Sequence, residues 1–259
     1  MRFPAPLHPS AATGFSEGAD GYARNRPDYP PAIVDWLRDA LALDATATAV
    51  DLGAGTGKFV PYLLAAGASV IAVEPVAGMR ERLVARFPQI VTLDGTAEAM
   101  PLADASADAV VCATAFHWFA TRDALAEIHR VLRPGGRLGL IWNVRDERTG
   151  WVARLSALFA RYEDDTPRQH TQAWRAVFPF DGFAPLQVCE FAHEHEGSPE
   201  QVVVGRVLST SFIAALPEPV RARVADEVRA LIAAEPALAG RDRVAMPYRT
   251  MAYWTARTD

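Results

Sequence analysis

The stretch Val50-Asp51-Leu52-Gly53-Ala54-Gly55-Thr56-Gly57 constrains this chain more than any other. A short apolar run, Thr48–Leu52, breaks into glycines at alternate positions, and Phe59, Val60, Leu63 and Leu64 then recur at helical spacing as far as Gly67. Glycines after a strand let the backbone turn sharply and let a ligand approach the main chain closely. The helix beyond them presents free N–H groups to a polar or anionic ligand. Spacing separates the nucleotide-binding loops of this kind. A dinucleotide fingerprint, G-x-G-x-x-G, started at Gly53 needs glycine where Lys58 stands. A P-loop ending in Gly57-Lys58 needs glycine at Leu52 and Ser or Thr at Phe59. Both fail. What remains is an acid, Asp51, before G-x-G-x-G, with a second acid, Glu74, closing the next apolar run.

The rhythm around the loop predicts a doubly wound α/β fold. Strands are expected at Thr48–Leu52, Ser69–Val73, Ile90–Leu93, Ala109–Ala113 and Arg137–Trp142. Helical spacing lies between them at Phe59–Leu64, Met79–Phe87 and Thr121–Leu132, and Ile33, Val34 and Leu37 mark a helix after Pro31. Strands separated by helix-length segments pair in parallel through right-handed crossovers. Beyond Asn143 the pattern changes. Residues 150–180 read as helical with a break, Leu186–His195 as a strand, and Pro199–Leu208 and Pro219–Ala234 as helices. Val220, Val224, Val228 and Ile232 form a packing stripe. Val244–Ala256 is a last strand, antiparallel and suited to the sheet edge. The expectation is a seven-stranded, mostly parallel sheet in a single domain, 1–259. Within it, 1–30 form a lid-like segment, 44–143 the cofactor core, and 150–235 inserted helices and a strand beside the substrate.

Composition sets the bounds. With 259 residues, half of them hydrophobic, the chain can bury a substantial core. A net charge of −5 without a basic cluster argues against a nucleic-acid partner gripped through phosphates. No apolar run reaches membrane-spanning length, and prolines near the N-terminus replace the apolar core of a signal peptide, so a cytoplasmic location is expected. Of the 26 basic residues only Lys58 is lysine; with the abundant alanine this fits a GC-rich bacterial genome. Cys112 and Cys189 give no disulfide framework and are expected as small buried hydrophobes. His193 and His195 share a strand face, but no third and fourth ligand lies nearby, so no metal is expected.

The glycine loop with its two acids resembles the first motif of class I S-adenosylmethionine-dependent methyltransferases. The cofactor of that family carries an amino-acid moiety, a ribose and an adenine, but no pyrophosphate. The resemblance implies that Asp51, Gly53, Ala54, Gly55 and Gly57 pass the amino-acid portion. It implies that Glu74, followed by Pro75 and Met79, accepts both ribose hydroxyls. Adenine is expected against Thr96, Ala97 and Glu98, with Thr96 where many relatives place Asp. Ala113, Thr114 and Ala115 leave strand four at the sheet's carboxyl edge, where ligands of open α/β sheets bind. Arg130–Gly136 is family-like too, and is read as a helix stop and turn. Tyr22–Pro30, Phe116-His117-Trp118-Phe119 and Pro247-Tyr248-Arg249-Thr250 resemble a subgroup that includes trans-aconitate methyltransferases, a likeness covering essentially the whole chain.

The function so implied is methyl transfer to an O, N or C nucleophile of a small molecule. His117 is the catalytic candidate, as substrate-orienting group or proton acceptor. Tyr22, Trp118, Trp142 and Asn143 are the other substrate candidates, and Arg145 ends the same strand. Tyr22 and Arg26 precede the core as a lid over the cofactor, where Arg26 can pair with a cofactor or substrate carboxylate. Two other classes stay open. One is a protein that holds S-adenosylmethionine for regulation or a non-methylating reaction; the other is an NAD-dependent oxidoreductase, disfavoured by Lys58. No oligomeric state is written in the sequence.

Overall fold

The computed structural model describes residues 26–163 and 167–259. Its first half alternates as the sequence predicts. Helix α1 (Ala32–Leu41) leads into β1 (Thr48–Leu52), α2 (Val60–Ala66), β2 (Ser69–Val73), α3 (Ala77–Arg86), β3 (Val91–Leu93) and β4 (Ala107–Ala113). Then come α4 (Arg122–Val131) and β5 (Leu132–Arg145). The second half contributes α5 (Gly150–Ala160), β6 (Gln187–Gly197), α6 (Arg206–Leu208), α7 (Ser211–Ala214), α8 (Glu218–Ala234) and β7 (Val244–Ala256). The strands form one seven-stranded sheet in the order β3-β2-β1-β4-β5-β7-β6. All neighbours are parallel except β7, which is antiparallel to both β5 and β6.

The helix boundaries have local causes. Gly67 ends α2 in the left-handed region at φ 106°, with its N–H returned to the carbonyls of Leu63 and Leu64. The Thr121 side chain accepts the Ala124 N–H and starts α4. Along the central strands alternate residues enter opposite layers. Val50, Leu52, Val110 and Cys112 pack with Ile128 of α4 on one face. Ala49 and Val111 pack with Leu37 of α1 and Leu63 of α2 on the other. A third cluster joins Trp151 and Leu155 of α5, Val224 and Val228 of α8, and Met246 and Tyr248 of β7.

Four expectations need correction. The C-terminal strand is antiparallel, but it lies inside the sheet, between β5 and β6; the edges are β3 and β6. Its thirteen residues pair along most of both neighbours, a contact an edge position would halve. Strand β5 absorbs Arg133–Gly136, read from sequence as a turn, because Leu132 already pairs with Ala107 and a register shift follows. Cys112 is buried but Cys189 is exposed, since it sits on edge strand β6. Residues 200–205 of the expected Pro199–Leu208 helix wind as a π-helix before α6. Among the described residues, no helix is long and apolar enough to cross a membrane.

Candidate functional site

Strand order reverses direction between β1 and β4, which opens a crevice at their carboxyl ends. The glycine loop fills its floor. Gly53, Gly55 and Gly57 have φ of 70°, 59° and 80°, the left-handed region that favours glycine. A Cβ on Gly53 would stand 2.9 Å from that of Ala115, and one on Gly57 would enter the Phe87 ring at 2.8 Å. At Gly55 only the Met79 sulfur lies near, at 3.7 Å, so this position faces open space.

The loop amides are largely committed within the protein. Gly53 and Ala54 donate to the Val73 carbonyl at 2.8 and 3.3 Å, and Gly57 donates to that of Ala54 at 2.9 Å. Gly55 donates to Glu74 Oε2 at 2.9 Å, while the Val76 N–H holds Glu74 Oε1 at 2.9 Å. These four N–H groups are therefore not available to cradle a pyrophosphate, which a dinucleotide or nucleoside triphosphate would require. Glu74 is nearly buried, and each of its oxygens keeps further acceptor capacity beside the cavity. Burial raises its pKa, opposed by the two backbone hydrogen bonds. Arg80 straps the turn, donating to the carbonyls of Glu74 and Pro75 and pairing with Asp94 at 3.0 Å.

A cavity of about 250 Å³ follows this loop. It is lined by Arg26, Gly53, Ala54, Gly55, Glu74, Pro75, Met79, Thr96, Ala97, Glu98, Ala113, Thr114 and Ala115, all cofactor candidates from the sequence. The Thr96 hydroxyl is buried there without a hydrogen-bond partner, a polar atom suited to a heterocycle edge. Asp51 and Gly57 stand behind the wall. Asp51 is 1% exposed; burial first, and then the Glu74 charge, push its carboxyl up to about 7. Gly57 shapes the loop against α3. Tyr22, with most of the lid-like segment, lies outside the described residues.

A second cavity, about 440 Å³, adjoins the first and shares Arg26, Thr114, Trp118, Asn143 and Arg206 with it. Its walls bring together the substrate candidates His117, Trp118, Trp142 and Asn143. Asn143 is held by Thr250 at 2.5 Å and donates to the Asp28 carbonyl at 3.0 Å. Thr114 takes φ 57°, rare for a β-branched residue, with its hydroxyl 2.9 Å from that of Tyr29. The single lysine, Lys58, donates to the Arg26 carbonyl at 2.8 Å and pairs with Asp28 at 2.9 Å, tying the chain at Arg26 across the glycine loop. His117 Nδ1 lies 3.0 Å from Trp142 Nε1. Burial, reinforced by Arg168 and Arg26, lowers the His117 pKa to about 3.

The second cavity is rich in arginine. Among the described residues, Arg26, Arg145, Arg168, Arg206 and Arg249 line it, against two carboxylates, Glu147 and Glu163. The Arg145 guanidinium lies 4.5 Å over the Phe159 ring and that of Arg168 4.2 Å over Phe212, with the two rings 6.2 Å apart. Nε and Nη2 of Arg145 are buried without a hydrogen-bond acceptor. Burial and the charges of Arg206 and Arg168 lower its pKa to about 9. Sequence reading passed over Arg168 and Arg206. The available signal at Arg206 was one cation inside the apolar run Val202-Val203-Val204-Gly205-Arg206-Val207. Among the described residues no cluster of three or more His, Cys, Asp or Glu can hold a metal.

Comparison with known proteins decides the family. A family model described as a methyltransferase domain matches residues 50–140. An uncharacterized methyltransferase of Mycobacterium tuberculosis is 42% identical over 237 residues, covering 92% of this chain and 93% of its own. The chain belongs to the methyltransferase family. A methyltransferase-like protein of Schizosaccharomyces pombe is 38% identical to this methyltransferase over 240 residues, 92% of this chain and 93% of that one. A solved structure described as a type II methyltransferase from Anaeromyxobacter dehalogenans is 25% identical and superposes with a TM-score of 0.68, covering 90% of this methyltransferase and 98% of that chain. Membership carries dependence on S-adenosylmethionine as a property of the class.

Proposed function

We propose that this methyltransferase moves a methyl group from S-adenosylmethionine to an O, N or C nucleophile of a small molecule that carries carboxylate or phosphate groups. The arginine-lined cavity sharing a wall with the glycine-loop cavity carries the proposal. Glu74 and the Thr96 hydroxyl suit ribose and adenine, and committed loop amides suit a cofactor without pyrophosphate. When bound, that cofactor supplies an electrophilic methyl carbon and leaves as a neutral thioether. The protein then has to position the nucleophile and exclude water. Arginine recognises carboxylate and phosphate through paired N–H donors, and aromatic stacking holds the guanidinium plane in place. The likeness to the subgroup that includes trans-aconitate methyltransferases supports an acidic substrate as well. In this reading 44–143 hold the cofactor and 150–235 form part of the substrate pocket, while most of the lid-like segment 1–30 lies outside the described residues.

The test is S-adenosylhomocysteine formation across a panel of mono-, di- and tricarboxylic acids, phosphorylated small molecules, and the neutral esters of each. Turnover confined to acids is expected. Equal turnover of the neutral esters would overturn the substrate reading, and absence of S-adenosylmethionine binding would overturn the cofactor reading.

A further inference from the structure

We propose that His117 serves as a fixed hydrogen-bond donor to the substrate, not as a proton acceptor, and that Trp142 sets this role by locking the imidazole tautomer. The inference rests on the methyltransferase reading for its function, but its geometry stands alone. An indole nitrogen can only donate, so at 3.0 Å from Trp142 Nε1 the His117 Nδ1 must be the unprotonated acceptor. In a neutral imidazole the proton then resides on Nε2. A ring nitrogen that already bears a proton donates; it cannot remove one. Both His117 and Trp142 line the second cavity, and in this proposal the Nε2–H points into it, towards the substrate.

The lock is mechanically supported. Trp142 is 1% exposed, and its ring packs 4.8 Å from Trp174 and 5.9 Å from Tyr253. It lies on β5 beside Met251 of β7, in the interior of the sheet, so its N–H has a fixed direction. His117 sits in a short 3-10 turn, Phe116–Trp118, anchored by the buried Phe116. The charges that act on the imidazole are those of Arg168 and Arg26, both of which oppose protonation. Arg145, Arg206 and Glu163 line the same cavity, and Glu163 is held by Arg168 at 3.2 Å. A cationic imidazole would also turn an N–H towards the indole N–H and lose the bond. Geometry and charge therefore select the same neutral tautomer.

The consequence for chemistry is specific. A donor at Nε2 can hold one oxygen of a carboxylate or phosphate while leaving another free to attack. A nucleophile of that kind arrives deprotonated and needs no base. Trp142 is then a positioning residue, acting on substrate only through His117.

The experiment is long-range proton–nitrogen NMR of the full chain labelled with 15N-histidine, with His117→Gln used to assign the signals, run alongside S-adenosylhomocysteine titration and with citrate as the anionic probe. The expected result is an Nε2–H tautomer for His117, with no titration between pH 8 and pH 5 and a change in the Nε2–H signal on adding citrate. Trp142→Phe keeps the ring and removes only the donor. It should convert His117 to a mixture of the two neutral tautomers, still without titration in that range because burial and the two arginines remain, with citrate binding weakened by roughly 5–10-fold, the scale of one lost hydrogen bond. An Nδ1–H tautomer, a His117 that titrates in the wild type, or a Trp142→Phe variant with an unchanged tautomer would overturn the proposal. If S-adenosylhomocysteine fails to bind while the tautomer is as stated, it is the methyltransferase reading that falls.

Discussion

Glu74 and Asp51 show how two acids of one motif divide their work. Glu74 uses one lone pair on each oxygen to accept from Gly55 and Val76, so its remaining capacity has a fixed direction. Glu74→Gln should keep the side-chain shape yet weaken S-adenosylhomocysteine binding by roughly 2–3 kcal/mol, because a double charge-assisted contact is lost. Calorimetry checks this, and unchanged affinity would remove Glu74 from the ribose role. Asp51 lies behind the loop, with Oδ2 buried and unpartnered. Its pKa is raised from 3.8 to about 7, so between those values the folded protein keeps a proton that the unfolded chain releases. The stability it contributes is thus fully present below about pH 4 and is lost as pH rises towards 7. Asp51→Asn should accordingly raise the thermal midpoint at pH 8 and leave it nearly unchanged at pH 4. His117 acts with the opposite sign. Its folded pKa of about 3 lies below the ordinary 6.5, so its contribution is complete above pH 6.5 and is lost as pH falls towards 3.

At the scale of elements, the loop and its following helix were legible because backbone chemistry dictates them. Strands β1, β2 and β7 fall where the apolar runs predicted, and Gly67 and Thr121 punctuate α2 and α4 as their types require. Gly53 marks the tightest approach: Gly53→Ala would force a Cβ against Ala115 at 2.9 Å from a left-handed backbone. That variant should lose about 1–3 kcal/mol of stability by chemical denaturation. Gly55→Ala shares the φ strain but faces open space, so its effect should fall more on cofactor affinity than on packing. What sequence did not show depends on long-range pairing. The interior place of β7 follows from its register with β5 and β6, which no local pattern records. Arg168 and Arg206 reach the cavity from a loop and from a short helix, and neither position has a periodicity that marks its direction. Lys58, which in the sequence rules out the dinucleotide fingerprint, also fastens the chain at Arg26 and Asp28 over the loop.

Across the whole molecule, charge is arranged against its own average. The chain carries a net −5, yet among the described residues its second cavity gathers five arginines against two glutamates. Several surface guanidiniums pair closely with carboxylates, as Arg130 does with Glu127 at 2.7 Å. Arg145 instead keeps Nε and Nη2 buried without an acceptor, and its pKa is lowered from 12.5 to about 9 by burial and by Arg206 and Arg168. For a base with a depressed folded pKa, the destabilisation is complete at neutral pH and is relieved only as pH rises above 9. A fold that retains such a charge trades stability for a site, and an anion that neutralises it should return the difference. Citrate is therefore expected to raise the thermal midpoint of the wild type at pH 7. Arg145→Met keeps much of the contact with Phe159 while removing the charge. It should raise the midpoint without citrate by about 2–4 °C, from a gain of the order of 1 kcal/mol, and abolish the citrate-dependent increment. Scanning calorimetry of both proteins with and without citrate separates the effects. A variant that melts lower than wild type in buffer would make Arg145 a structural cation stacked on Phe159, and an increment that survives the substitution would place anion binding elsewhere.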